Sequence, residues 1–171
     1  VDSSKNYTIN IKKTVNVDSG IVVSNNITIQ KAPDASSAKI QYSSTSYALF
    51  TVSSSNTTLK ISNIDIEGPD EQSIQSGGAA IYNRGTLILN NVNLSKFKNG
   101  SSSDDQGGCL YNAENGTISI TGGSITSCAS AYGGAIYNNG KDIEIEDCTI
   151  SSCTAQRGGA IYNDIAAKIT L

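Results

Sequence analysis

Gly133 to Arg157 reads GGAIYNNGKDIEIEDCTISSCTAQR. The hexapeptide that opens it, GGAIYN, recurs unchanged at Gly158 to Asn163. Two variants precede it: GAAIYN at Gly78 to Asn83 and GGCLYN at Gly107 to Asn112. The starts at 78, 107, 133 and 158 lie 29, 26 and 25 residues apart. A fixed period in the twenties marks a stacked repeat protein, in which each unit buries its apolar face only against its neighbours.

The unit divides into short segments. After GGAIYN comes the turn pair Asn139-Gly140. Asp142-Ile143-Glu144-Ile145-Glu146 then alternates strictly between polar and apolar, the pattern of a strand with one buried face. Cys148-Thr149-Ile150 supplies a third segment. Thr117 to Ile120 and Thr86 to Leu89 repeat the second segment in earlier units, and Ser124-Ile125 and Val92 to Leu94 repeat the third. Three short strands per ~25-residue coil, each coil advancing by about 4.8 Å, describe a single-stranded parallel β-helix, an all-β solenoid.

Residues 1–76 are less regular but fit the same plan. Tyr7 to Ile11, Ile21 to Val23, Ile27 to Gln30, Lys39 to Tyr42, Leu49 to Val52, Leu59 to Ile61 and Ile64 to Ile66 read as strands. Only Ala32 to Ala38 carries a weak helical pattern. The expectation is one β-helix domain over 1–171, with the GGAIYN-type repeats in 77–171. It has about seven coils and a core roughly 30 Å long. The chain opens Val1-Asp2-Ser3 and Leu171 falls inside an expected strand, so it reads as part of a longer protein.

Composition narrows function mostly by exclusion. The 171 residues carry 12 Lys and Arg against 15 Asp and Glu, a formal net charge of -3. Nucleic acid as a partner needs a basic stripe that this balance does not provide. No apolar run reaches the ~20 residues of a membrane helix, so no membrane span is expected. His, Trp and Met are absent. Without His there is no imidazole base and no imidazole metal ligand, no CxxC pair occurs, and no cofactor site is expected.

The GGAI repeats resemble the polymorphic membrane proteins of chlamydiae and their β-helical relatives in other microbes and some parasitic protists. The resemblance covers Gly77 to Leu171. It implies a right-handed parallel β-helix, an extracellular or cell-surface location, and an adhesin role toward a host or neighbouring-cell surface protein or glycan. The companion FxxN motif of that family is lost here. Phe97 fills its first position in one unit, but Cys128 and Cys153 stand there in the next two. Gly100, Ala131 and Gln156 stand where its Asn would be.

Candidate sites follow from the repeat. Gly78, Gly107, Gly133 and Gly158 should turn corners by positive φ or by close approach to the next coil. Alternation points Ile81, Leu110, Ile136 and Ile161 inward. It points Tyr82, Tyr111, Tyr137 and Tyr162 outward as a ladder, free to stack on sugars or on a partner, or simply to tie neighbouring coils together. Asn83, Asn112, Asn138 and Asn163 should stack at the following corner, amide to amide and amide to backbone.

Cys128 and Cys153 are one coil apart at equivalent positions, close enough for a disulfide; the alternative is buried free thiols. Asp142, Glu144, Glu146 and Asp147, or Asp104 and Asp105, read either as a calcium site or as a solvated acidic face. Asn6, Asn26, Asn56, Asn93, Asn99 and Asn115 carry glycosylation sequons. Insertion of Lys96 to Gln106 lengthens one repeat into a loop.

Three functions remain open. The first is a non-enzymatic adhesin-like binding module, and the second a structural stalk. The third is a polysaccharide lyase or hydrolase, for which Arg84 and Arg157 are the only arginines. Open strand edges at the two ends also allow end-to-end self-association.

Overall fold

The computed structural model describes residues 5–69, 73–74, 80–100, 106–164 and 167–171, and among these there is no helix. The strands form a parallel β-solenoid of three sheets, with eleven, six and four strands. The broad sheet runs through the alternating segments, among them Thr58–Ser62, Thr86–Ser95, Thr117–Thr126 and Ile143–Glu146. The narrow sheet stacks Ile21–Val23, Phe50–Val52, Ile81–Asn83, Leu110–Asn112, Ile136–Asn138 and Ile161–Asn163. The third sheet holds Ser73–Ile74, Lys98–Asn99, Ala129–Tyr132 and Thr154–Arg157.

The six strands of the narrow sheet mark five turns from first to last, somewhat fewer than the seven coils expected. Beyond them, Ile169–Thr170 adds a seventh strand to the main run of the broad sheet. The segment Ala32 to Ala38 is turn and coil, not helix. Thr14–Val17 is a strand that the hydrophobic pattern did not reveal. The third sheet adds a fourth segment to the later coils. Its buried positions include Asn99, Ser130 and Ala131, which are too polar or too small to print an apolar alternation.

Register is in phase throughout. Ile81 pairs with Leu110, Leu110 with Ile136, and Ile136 with Ile161. Leu87, Ile118 and Ile143 form a parallel column in the broad sheet. These inward side chains make one continuous core, in which Leu59, Ile61, Ile66, Leu87, Leu94, Phe97 and Leu110 are fully buried.

Single residues with left-handed backbone turn the corners. Gly107, Gly133 and Gly158 have φ of +70°, +62° and +60°. A second column is Asn63, Asn91, Gly122 and Asp147, at 57°, 50°, 69° and 53°. A third is Lys96, Ser127 and Ser152, at 63°, 56° and 55°. Asn and Asp tolerate this conformation because their short polar side chains bond locally, and Gly because it lacks Cβ.

Candidate functional site

The narrow sheet contributes only three residues per coil, Ile/Leu-Tyr-Asn in its last four strands, so there its inner row, outer row and corner are each set by a single position. The corner position builds a buried amide ladder. Asn83 Nδ2 donates to Asn112 Oδ1 at 2.9 Å, Asn112 Nδ2 to Asn138 Oδ1 at 2.9 Å, and Asn138 Nδ2 to Asn163 Oδ1 at 2.7 Å. Each amide also clasps its own turn: Nδ2 donates to the carbonyls of Gly85, Gly116, Lys141 and Ala167. The Oδ1 atoms of Asn83 and Asn138 accept from the Gly85 and Gly140 amides, both at 3.1 Å. Asn83, Asn112 and Asn138 are wholly buried. Every amide hydrogen that faces the interior therefore has an acceptor, which removes the penalty for burying it.

The middle position builds the tyrosine row. Ring centroids are 4.9 Å apart for Tyr82 and Tyr111, 5.1 Å for Tyr111 and Tyr137, and 5.5 Å for Tyr137 and Tyr162. The planes are within 6°, 21° and 6° of parallel. The rings thus stack on one another, and their inner faces are not available to a sugar. Tyr137 is only 3% exposed, so as a separate contact residue it is lost to the stack. Tyr82, Tyr111 and Tyr162 are half-buried and present edges and hydroxyls.

Tyr137 donates its hydroxyl to Asp164 at 2.7 Å. Its phenol is pushed far above the ordinary range, first by burial and then by that hydrogen bond to the carboxylate. Burial also raises Tyr111.

Both arginines of the chain close this row. Tyr82 has Thr51, not a tyrosine, as its neighbour in the preceding coil. The Arg84 guanidinium lies over the Tyr82 ring, 5.2 Å from its centroid, and donates to the Tyr82 hydroxyl at 3.2 Å. At the other end Tyr132 meets Tyr162 edge-on, with centroids 5.2 Å apart, and Arg157 sits 5.7 Å from the Tyr132 centroid. Among the described residues no ion pair involves either arginine. The sequence reading missed this role for Arg84, Arg157 and Tyr132. The signal was present: Tyr132 and Arg157 both stand directly before the Gly-Gly pair, in register with one another.

The glycine pair divides its work. In Gly133 the backbone is left-handed; in Gly134 the backbone is ordinary but a Cβ would lie 2.2 Å from the Gly159 carbonyl oxygen of the next coil. Gly107 and Gly158 share the first role and Gly108 the second. Gly78 lies outside the described residues.

The cysteine pairing differs from expectation. Cys128 is bonded to Cys109, not to Cys153, with Cα atoms 5.9 Å apart. Cys153 does sit one coil along from Cys128, since the Thr154 amide donates to the Cys128 carbonyl at 2.9 Å. Its thiol remains free, however, and approaches the Ile125 and Ser151 carbonyls. The bridge instead crosses the core from the edge of the narrow sheet to the edge of the third. A 25-residue spacing identifies neighbours within one column but not partners facing each other across the interior. Cys148 is also free, and burial raises both free thiols.

The acidic residues stay apart. Glu144 and Glu146 point outward from the broad sheet and are exposed, while Asp142 accepts the Lys168 amide at 2.8 Å. Asp104 and Asp105 lie outside the described residues, as do 101–103; of the Lys96 to Gln106 insert expected as a loop, Lys98–Asn99 is a strand of the third sheet. Among the described residues no three His, Cys, Asp or Glu converge as metal ligands. Of the sequon asparagines, Asn99 is buried, Asn26 Oδ1 accepts the Thr58 amide and Asn93 donates to Asp65. Asn6, Asn56 and Asn115 are exposed. On the broad sheet the outward polar rows bond to one another, as in Ser124 to Asn93 to Asp65 at 2.9 and 2.7 Å.

No protein-family model, no curated protein and no solved structure matches the chain. No helix among the described residues is long and apolar enough to cross a membrane.

Proposed function

We propose that this β-solenoid is a non-enzymatic, adhesin-like module of a cell-surface or secreted protein, binding a glycan or protein surface through the tyrosine face of its narrow sheet. The observation that carries the reading is the half-exposed row of tyrosine edges and hydroxyls, fixed from beneath by the buried asparagine ladder. A site held this rigidly loses little conformational freedom on binding, and tyrosine combines a large contact area with a polar tip. The resemblance of the GGAIYN repeats to polymorphic membrane proteins points the same way.

Native electrophoresis through gels containing soluble polysaccharides, with the polymers recovered and sized, tests the reading beside binding of labelled protein to cells and matrix. Retardation or cell binding with polymer length unchanged is the expected result. Shortened polymer would make the protein an enzyme, and absence of binding in every format would reduce it to a structural rod.

A further inference from the structure

We infer that the ligand class of the tyrosine face is an acidic polysaccharide, whose carboxylates or sulfates are gripped by Arg84 and Arg157 at the two ends of the row. The inference rests on the binding-module reading and narrows it. The chain has only two arginines: Arg84 lies against Tyr82 at one end of this face, and Arg157 lies against Tyr132 of the third sheet, whose ring meets Tyr162 at the other end. The ring faces between them are used up in the stack and the Tyr137 hydroxyl is given to Asp164, so what remains for a ligand is the edges and hydroxyls of Tyr82, Tyr111 and Tyr162 and a cation at each end.

The geometry suits a sugar polymer. Three steps of 4.9, 5.1 and 5.5 Å separate Tyr82 from Tyr162, about 15 Å in all, each step comparable with the length of a pyranose ring. Tyrosine hydroxyls both donate and accept, as sugar hydroxyls do. A guanidinium resting on an aromatic ring keeps most of its in-plane donors, and its fork matches a carboxylate or sulfate in a bidentate pair. Arg84 spends one of its five N–H donors on Tyr82.

Charge spacing favours this ligand over nucleic acid. A phosphate backbone presents an anion at every nucleotide and calls for a continuous basic stripe. Two isolated cations flanking a tyrosine row that also carries one carboxylate, Asp164, fit a polymer whose acidic groups are separated by neutral sugars, not a phosphate at every nucleotide. The Asp164 carboxylate on the same face is engaged by the Tyr137 hydroxyl. With a formal net charge of -3 the protein as a whole repels a polyanion, so retention on one must be local to this site.

The test is retention of the whole chain on immobilised alginate and hyaluronate, which carry carboxylates, on heparin, which adds sulfates, and on neutral dextran. The expected result is retention on at least one acidic polymer, weakened by salt. Arg84→Gln and Arg157→Gln should each weaken it about tenfold in Kd. Arg84→Lys, which keeps the charge and loses the fork, should lie between. Lys60→Gln, an exposed cation on the broad sheet, is the control and should leave retention unchanged. Circular dichroism and unfolding midpoints establish that each variant is folded. Equal retention of both arginine variants and the parent, or an equal loss with Lys60→Gln, overturns the inference. Retention on dextran with none on the acidic polymers also overturns it while leaving the binding-module reading standing. Failure on all four polymers removes the acidic ligand, and cell binding then decides the broader reading separately.

Discussion

The buried amide of Asn112 shows how one residue holds the stack. It links the coils on either side and clasps its own turn, with no access to water. Asn112→Ala leaves these partners short by three hydrogen bonds and opens a small void. A loss of about 2–4 kcal/mol is expected, read from the urea midpoint at constant m-value. Glycine makes a sharper contrast. Gly133→Ala forces a left-handed alanine whose Cβ would lie 2.1 Å from the Ile136 carbonyl oxygen, whereas at Gly159 a Cβ meets nothing within 4 Å. Gly133→Ala should destabilise by about 2 kcal/mol or more, and Gly159→Ala by under about 0.5 kcal/mol, in the same unfolding experiment.

At the scale of the element, the tyrosine row is both a structural column and the exposed rim of the candidate site. Each stacked pair contributes about 0.5–1.5 kcal/mol beyond its area. The fold favours neutral Tyr137 and Tyr111, whose phenols are raised above the ordinary value of 10.0. Their contribution to stability is therefore intact below pH 10.0 and is lost as pH rises above it, because the unfolded chain releases those protons first. Unfolding midpoints of the parent should hold steady to about pH 9 and fall by pH 11, and Tyr137→Phe should show a smaller fall over the same interval. An unchanged slope in the variant would contradict the role given to that phenol.

Much of this element was legible in the sequence. The period aligned the Ile, Tyr and Asn columns because parallel coils stack equivalent positions directly, and alternation placed Ile136 inside. Stacking of the tyrosines between coils was one of the readings the period allowed, but the sequence did not choose between it and rings free for a ligand. A period says that Tyr111 and Tyr137 are neighbours, but not that their faces close on each other. Nor does it show that Arg84, a corner residue of one coil, folds back over Tyr82. The Cys109 to Cys128 bridge was hidden for a related reason: it joins two columns across the core, and only the cross-section of the coil brings them together. The left-handed corners at Asn63, Asn91 and Asp147 were not read from the sequence, because they fall outside the GGAIYN hexapeptide, and Lys96 adopts the same conformation without a residue type that favours it.

The whole molecule is a rod whose coils contact only their sequence neighbours, so its stability is a sum of similar interfaces and its faces are long and uniform. The broad face bonds polar rows such as Ser124, Asn93 and Asp65 to one another, and the narrow face carries the tyrosine row, with Arg84 at one end and Arg157 of the third sheet beside the other. Function is assigned to the narrow face for that reason. Hydroxyl-radical footprinting of the intact protein, with and without the polysaccharide that retains it, reads side chains on both faces at once. Protection of Tyr82, Tyr111 and Tyr162, with Ile88 on the broad sheet oxidised equally in both samples, is the predicted outcome. Protection of Ile88 with the three tyrosines unchanged would place the ligand on the wrong face and contradict the assignment.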